Sequence, residues 1–224
     1  MTRSGADLAA RAAPPGSERP GAPTLVASAR VRRAVIVLSL VACGLGLFYG
    51  AYRGYYALGG SWAMIGVPAS STQWLLINRV AAVAIIVASL VPLVAIPLWD
   101  VPAARPVLLV LFSIAAVGLV MHALIDEAQR LLHLFGLAGR LHIDPYRFGG
   151  WRSVNFRLAD LEDILFNEPW FLVEGALCGA LVWLSLPRAQ ARSWWLTAAA
   201  VATAICVAAG LLSATGVIGT SVVL

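Results

Sequence analysis

Five long apolar runs constrain this chain more than any other feature of its sequence. The hydrocarbon core of a bilayer is about 30 Å thick, so a helix needs about 20 apolar residues to cross it. No water is present there to satisfy backbone N–H and C=O groups, and a spanning segment must therefore be helical. The sequence predicts an all-α fold, a polytopic transmembrane helical bundle of about five spans. The predicted spans are residues 34–56, 74–98, 106–125, 169–186 and 194–217.

The composition also favours a membrane protein. Hydrophobic residues make up 60% of the chain and charged residues 12%, and the mean hydropathy is +0.84. Soluble domains carry about 25% charged residues, so most of this surface has to face lipid. The net charge of +5 is concentrated in the N-terminal segment and in short loops. Arginines there orient the spans and contact anionic headgroups, so we expect membrane lipids and no nucleic acid as partners.

Charge placement predicts how the chain is organised. Residues 1–30 lack apolar periodicity and are predicted to be a disordered cytoplasmic tail, and residues 31–224 form the transmembrane domain, with a partly helical outer loop at 126–167. The first 33 residues contain six arginines, whereas loop 59–73 has no charged residue. The positive-inside rule places the N-terminus in the cytoplasm and the C-terminus outside. All 16 basic residues are arginine, a bias typical of GC-rich bacteria, so a bacterial cytoplasmic membrane is expected.

Small residues mark two helix faces on which neighbouring helices are expected to approach closely. Gly46, Gly50 and Gly54 recur every four residues in the first span, and Gly175 and Gly179 have the same spacing in the fourth. Both faces therefore predict contacts between spans.

Polar side chains from four spans are predicted to lie at one depth, in the outer leaflet. An unpaired charge in hydrocarbon costs several kcal/mol, so such residues face the bundle interior and find partners. Arg79 and Glu174 have matching predicted depths and are expected to pair, either as a structural clamp between helices or as part of a polar cavity open to the outside. The predicted binding residues are Arg53, Asn78, Arg79, His122, Asp126, Glu168 and Glu174.

The third span continues past the membrane with a polar stripe on one face. His122, Asp126, Gln129 or Arg130, and His133 recur at steps of three or four residues. His122 and Asp126 have the spacing to share a cation, but the sequence shows no second pair at ligand spacing. Neither a metal nor a cofactor is therefore predicted.

The end of the outer loop predicts a short amphipathic helix on the membrane interface, because apolar residues recur at helical spacing within residues 154–165. Asp160 and Asp163 are expected to be solvated there. Asn167 or Glu168 is then expected to cap the fourth span.

The stretch YYALGG at residues 55–60 resembles a signature in an uncharacterised family of small bacterial multi-pass membrane proteins. The family pattern is His, any residue, Tyr, Trp, Ala, Leu, Gly, Gly. Arg53 stands here at the histidine position and Tyr56 at the tryptophan position. The resemblance implies a multi-pass membrane protein and no particular activity.

Two classes of function stay open on the sequence. The first is a non-enzymatic membrane protein that binds a lipid headgroup, a small molecule, a partner membrane protein or a second copy of itself through the outer-leaflet polar residues. The second is an intramembrane enzyme with acid–base chemistry at Glu174 or His122, since a desolvated carboxylate can act as an acid or a base. Motifs for a serine nucleophile, a zinc protease or a phosphate-binding loop do not occur.

Overall fold

The computed structural model describes residues 29–138 and 150–214 and is 82% helical. Five helical segments are long and apolar enough to cross a membrane, which confirms the predicted all-α helical bundle. The predicted tail up to residue 28, the middle of the predicted outer loop (139–149) and residues 215–224 lie outside the described residues.

Six α-helices, two short strands and one π-helical turn follow one another along the described chain. They are α1 (Ala29–Ala57), β1 (Gly66–Pro68), α2 (Ser71–Leu98), α3 (Arg105–Leu134), β2 (Trp151–Val154), α4 (Phe156–Glu162), the π turn (Asp163–Asn167), α5 (Glu168–Ser185) and α6 (Ala189–Ala214).

Local sequence signals set where three of these helices begin. Ser70 precedes α2, and its Oγ accepts a hydrogen bond from Gln73 N at 3.3 Å, as a helix N-cap does. Pro106 stands in the first turn of α3, where the missing N–H has no helical partner to lose. Asn155 caps α4, because its Oδ1 accepts from Leu158 N at 3.1 Å.

The fourth long apolar helical segment begins earlier than the predicted fourth span, because α4 continues into α5. The π turn joins α4 to α5, and Glu168 N donates to Asp163 O across it. One continuous helical segment therefore runs over Phe156–Ser185. The predicted cap is wrong for the same reason, since Asn167 lies inside this segment and makes no capping hydrogen bond.

The two strands bring separate loops together at one end of the bundle, called the strand end below. β1 follows α1 and pairs antiparallel with β2, which precedes α4, so that Gly66 lies opposite Val154. Ala69 N donates to Gly150 O at 2.7 Å beside this pair. The loop after α1 and the loop before α4 therefore lie on the same side of the bundle.

Both predicted small-residue faces are helix contacts. A Cβ added to Gly46 of α1 would lie 2.1 Å from Ser89 Oγ of α2, and one added to Gly175 of α5 would lie 2.8 Å from Val120 of α3. Gly54, the last residue of the α1 series, has open space in front of it. These close approaches hold α1 against α2 and α5 against α3.

The main apolar core and two buried carboxylates lie in opposite halves of the bundle. The apolar core lies away from the strands, among α1, α2, α3 and α5, and includes Trp99, Phe112 and Leu181. α6 packs on the outside, where Gly210 approaches Ile125 of α3. The strand half contains the buried carboxylates Asp160 and Glu168.

We expect Gly46→Ala and Gly44→Ala to change stability in opposite directions. A methyl group at residue 46 would lie 2.8 Å from Ser89 Cβ as well as overlapping its Oγ, so α1 and α2 must move apart. Overpacking of this kind costs about 1–3 kcal/mol. Nothing lies within 4 Å of a Cβ at residue 44, where alanine stabilises a helix by up to about 1 kcal/mol. Unfolding midpoints of the full chain in one detergent measure both changes, and equal shifts would contradict the close contact.

Candidate functional site

The polar stripe of α3 faces acidic side chains of the Phe156–Ser185 segment. Arg130 Nε donates to Asp163 Oδ2 at 2.8 Å, and His133 Nδ1 lies 2.6 Å from Asp160 Oδ2. Asp160 is 1% exposed, so the expectation that it is solvated is wrong. The whole set is called the polar ladder and consists of His122, Asp126, Arg130 and His133 on α3, and Asp160, Asp163 and Glu168 opposite them.

Helical spacing explains how three acids come to face α3. Asp160 and Asp163 are three residues apart and share one helix face. In a regular α-helix the next residue on that face would be Asn167, four residues on. The π turn adds one residue, and Glu168 takes that position beside His122.

His122, Asp126 and Glu168 form a separate cluster at one end of the ladder. His122 Nε2 lies 3.7 Å from Asp126 Oδ2 and 3.9 Å from Glu168 Oε2. Both distances are longer than a hydrogen bond, so the three groups leave a space between them. Glu168 is 4% exposed, and its Oε2 has no hydrogen-bond partner in the described part of the chain. Phe171 lies against the imidazole, with ring centroids 4.4 Å apart.

A polar chamber of about 170 Å³ lies beside the ladder at the strand end. Its lining includes Arg53 of α1, Trp74 of α2, Arg130 of α3 and Glu162 of α4. Trp151 of β2 also lines it, and its ring centroid lies 4.9 Å from that of Trp74. This space is called the strand-end chamber.

The acids of the strand-end chamber have partners, but two of its donors do not. Glu162 accepts a hydrogen bond from Tyr52 OH, and the other lining carboxylate is paired within the polar ladder. Arg53 Nε and Trp74 Nε1 are buried without an acceptor among the described residues. The Arg53 guanidinium lies over the Tyr49 ring, 5.7 Å from its centroid. A ligand with acceptor oxygens would therefore complete this chamber.

The structure does not pair Arg79 with Glu174. Arg79 Nε donates to Ala57 O at 3.2 Å, at the strand end of α1. Glu174 lines a cavity with Ser89, which is ten residues further along α2 than Arg79, or about 15 Å at the rise of a helix. The expected clamp is therefore wrong. Because α2 begins at Ser71, before the apolar run predicted from residue 74, Arg79 lies level with the last turn of α1 and not deeper in the bundle.

Glu174 lies in a mainly apolar cavity of about 350 Å³ between α1, α2, α3 and α5. Its Oε1 is buried and has no hydrogen-bond partner among the residues described. Cys178 and Ser89 also line the cavity, and Ser89 Oγ donates to Ile85 O at 2.6 Å. Within the described ranges no hydrogen bond or ion pair joins Glu174 to His122, so the two residues of the acid–base hypothesis belong to different places.

Four of the seven predicted binding residues lie in the two polar regions of the strand half. Asn78 is fully buried beside the chamber residue Trp74, and its Nδ2 donates to Trp74 O at 2.9 Å. Arg79 and Glu174 lie elsewhere, as described. The four are Arg53, His122, Asp126 and Glu168.

Sequence reasoning missed Tyr52, Trp151 and Glu162 of the strand-end chamber. The hydrogen bond from Tyr52 to Glu162 joins residues 110 positions apart, and no local pattern predicts it. One signal was present for the polar ladder. Asp160 and Asp163 have helical spacing and charges opposite to Arg130, so an acidic face of α4 was available to match the stripe of α3.

Comparison of the chain with protein-family models, with curated proteins and with solved structures finds no match. The resemblance of residues 55–60 to a bacterial family therefore stays a prediction. The functional argument rests on the geometry of the strand half.

We expect Asp163→Asn to destabilise the protein by about 2 kcal/mol, because it removes the carboxylate charge to which Arg130 Nε donates at 2.8 Å. Asp100→Asn is the matched control. Asp100 is exposed between α2 and α3, where a substitution changes stability by less than about 0.5 kcal/mol. Unfolding midpoints in one detergent compare the two variants. If both shifts are equally small, the polar ladder does not hold α3 against the π turn.

Proposed function

We propose that this protein is a multi-pass protein of a bacterial cytoplasmic membrane that binds a phosphate-type anionic group in the strand-end chamber. The group is the phosphate of a lipid headgroup or a free anion of the same chemistry. The observation that carries the proposal is the pair of buried donors, Arg53 Nε and Trp74 Nε1, for which the described chain supplies no acceptor. A buried donor without a partner costs about 1–3 kcal/mol, and a bound anion removes that cost.

Arg53 is the side chain best suited to hold such a ligand. A guanidinium is planar, permanently charged and carries five donors that match phosphate oxygens. Arg53 forms no ion pair within the described ranges, whereas Arg130 on the other side of the chamber is held by Asp163 at 2.8 Å. The positive charge of Arg53 is therefore available to a ligand.

The size and position of the chamber favour a headgroup. Its 170 Å³ corresponds to the liquid volume of about six water molecules, and pockets for drug-sized ligands begin at about 300 Å³. Trp74 and Trp151 border it, and tryptophan concentrates at the level of lipid headgroups. A lipid bound there keeps its acyl chains in the bilayer and places its phosphate between the helices.

The pairing of the strands supports the proposed orientation, with the N-terminus in the cytoplasm and the C-terminus and the chamber outside. β1 and β2 place loop 59–73, which has no charged residue, on the same side as the loop before α4. The arginine-rich N-terminal segment precedes the opposite end of α1. This distribution follows the positive-inside rule when the strand end faces outwards.

The alternative function, an intramembrane enzyme, is supported by one observation. Glu174 Oε1 is buried without a partner beside a cavity of about 350 Å³. Glu174→Gln tests it, because loss of turnover with retained binding would mark the carboxylate as an acid or base. We favour the chamber, because several polar groups converge there and the lining of the Glu174 cavity offers a single carboxylate.

Lipid and anion binding by the purified full chain in a maltoside detergent tests the proposal. In one arm the protein is offered equal amounts of phosphatidylglycerol and a neutral glycolipid with the same acyl chains, and bound lipid is counted by native mass spectrometry. In the other arm inorganic phosphate is titrated calorimetrically. We expect a preference for the phosphate-bearing ligand that falls about tenfold in Arg53→Gln, since a charged hydrogen bond contributes about 1.5–3 kcal/mol.

Two further variants sharpen this test. Trp74→Phe keeps an aromatic ring, although a smaller one, and removes the indole N–H, so it should also weaken binding. Arg79→Gln removes a guanidinium that does not line the chamber and should leave binding unchanged. Binding in the lipid arm alone identifies a headgroup, and binding of inorganic phosphate identifies a free anion. Equal binding by the wild type and Arg53→Gln in both arms would refute the proposal.

A further inference from the structure

The cluster of His122, Asp126 and Glu168 has the composition and spacing of a cation site. The three ligand atoms, one nitrogen and two carboxylate oxygens, lie within 4.8 Å of one another. They come from two helices, since His122 and Asp126 are one turn apart on α3 and Glu168 begins α5. The sequence showed the first two residues, and the fold adds the third.

We propose that His122 Nε2, Asp126 and Glu168 bind a divalent transition-metal ion, with Zn²⁺ as the best-fitting member of this class. This inference goes beyond the proposed anion binding and does not depend on it.

The distances between the ligand atoms fit a metal ion better than direct pairing. A protonated histidine that paired with a carboxylate would approach it to about 2.7–2.9 Å, but the two distances are 3.7 Å and 3.9 Å. Ligands held at about 2.0–2.2 Å from one metal ion in tetrahedral geometry are separated by about 3.3–3.6 Å. Small rotations of these side chains would therefore bring all three onto one ion.

The buried carboxylate of Glu168 is the independent sign of a ligand. Its side chain is 5% exposed, its Oε2 is the atom that faces His122, and that oxygen has no hydrogen-bond partner in the part of the chain described. Arg130, one turn beyond Asp126 on α3, donates to Asp163. Two carboxylates that ligate one ion supply a charge of −2, which a divalent ion neutralises.

The donor set decides the class of metal. Imidazole nitrogen suits Zn²⁺ and other transition-metal ions, whereas Mg²⁺ prefers oxygen ligands alone. With three protein ligands, a tetrahedral Zn²⁺ keeps one position for water or an incoming group. The side chains of His122 and Asp126 are 24% and 28% exposed, so the cluster is not closed off within the protein.

The test uses the full chain without a polyhistidine tag, stripped of metal by a chelator and held in a maltoside detergent. Zn²⁺, Mn²⁺ and Mg²⁺ are titrated calorimetrically, and bound Zn²⁺ is counted by elemental mass spectrometry. We expect one Zn²⁺ per chain, weaker binding of Mn²⁺ and no measurable binding of Mg²⁺ at the same concentrations. Co²⁺ should replace Zn²⁺ and give a visible absorption band that reports its ligands.

Matched variants assign the ligands. We expect Asp126→Asn and Glu168→Gln each to weaken Zn²⁺ binding at least tenfold and to abolish the Co²⁺ band. Glu127→Gln, beside Asp126, and Glu174→Gln, a second buried carboxylate on α5, should leave both unchanged. Asp126 is partly exposed, so Asp126→Asn keeps the test valid if Glu168→Gln fails to fold.

The result that overturns the proposal is absence of Zn²⁺ from the wild type, or equal uptake by all four variants, which would place the ion elsewhere. Arg53→Gln separates this inference from the proposed function. It should weaken anion binding about tenfold and keep Zn²⁺ binding, so that each proposal fails or stands by itself.

Discussion

The burial of charge next to a hydrocarbon core is the constraint on which this arrangement depends. An ionised side chain there costs several kcal/mol unless another element supplies its partner. α3 carries its polar stripe because the Phe156–Ser185 segment presents acids at the same spacing. The match is incomplete in two places. Donors exceed acceptors at Arg53 and Trp74, and acidic groups exceed cations at Glu168. Each candidate site therefore lies where this polar contact leaves a donor or a carboxylate oxygen without a hydrogen-bond partner among the described residues.

Aromatic packing holds α1 against α5 beside this polar contact and so sets the position of Arg53. Tyr49 stacks on Trp170 of α5 with ring centroids 4.2 Å apart, and its OH donates to Asn167 Oδ1 at 3.1 Å. Trp170 Nε1 in turn donates to Leu45 O of α1 at 3.1 Å. These bonds tie the strand half of α1 to the helix that supplies the acids. The chamber is therefore bounded by elements that hold one another, although α1 and α5 are far apart in sequence.

Much of the fold could be predicted from the sequence, because the length of an apolar run is a local property. The five long apolar helical segments and the close approaches at Gly46 and Gly175 follow from such local patterns. Depth along a helix was less predictable. Arg79 and Glu174 were matched by counting from the ends of their apolar runs, but α2 and the fourth span each start before those ends. The cluster of His122, Asp126 and Glu168 could not be predicted for another reason, since the approach of Glu168 to His122 depends on a backbone irregularity.

That irregularity has a consequence for how the chain tolerates changes in length. A single residue turns an α-helix by about 100°, so the π turn works as an accommodated insertion between α4 and α5. Deletion of one residue from the π turn would restore a regular α-helix. It would then direct either Asp160 and Asp163 or Glu168 towards α3, but not both sets. A change in the length of this segment would thus disturb the contact with α3 more than a substitution of one of its lipid-facing side chains.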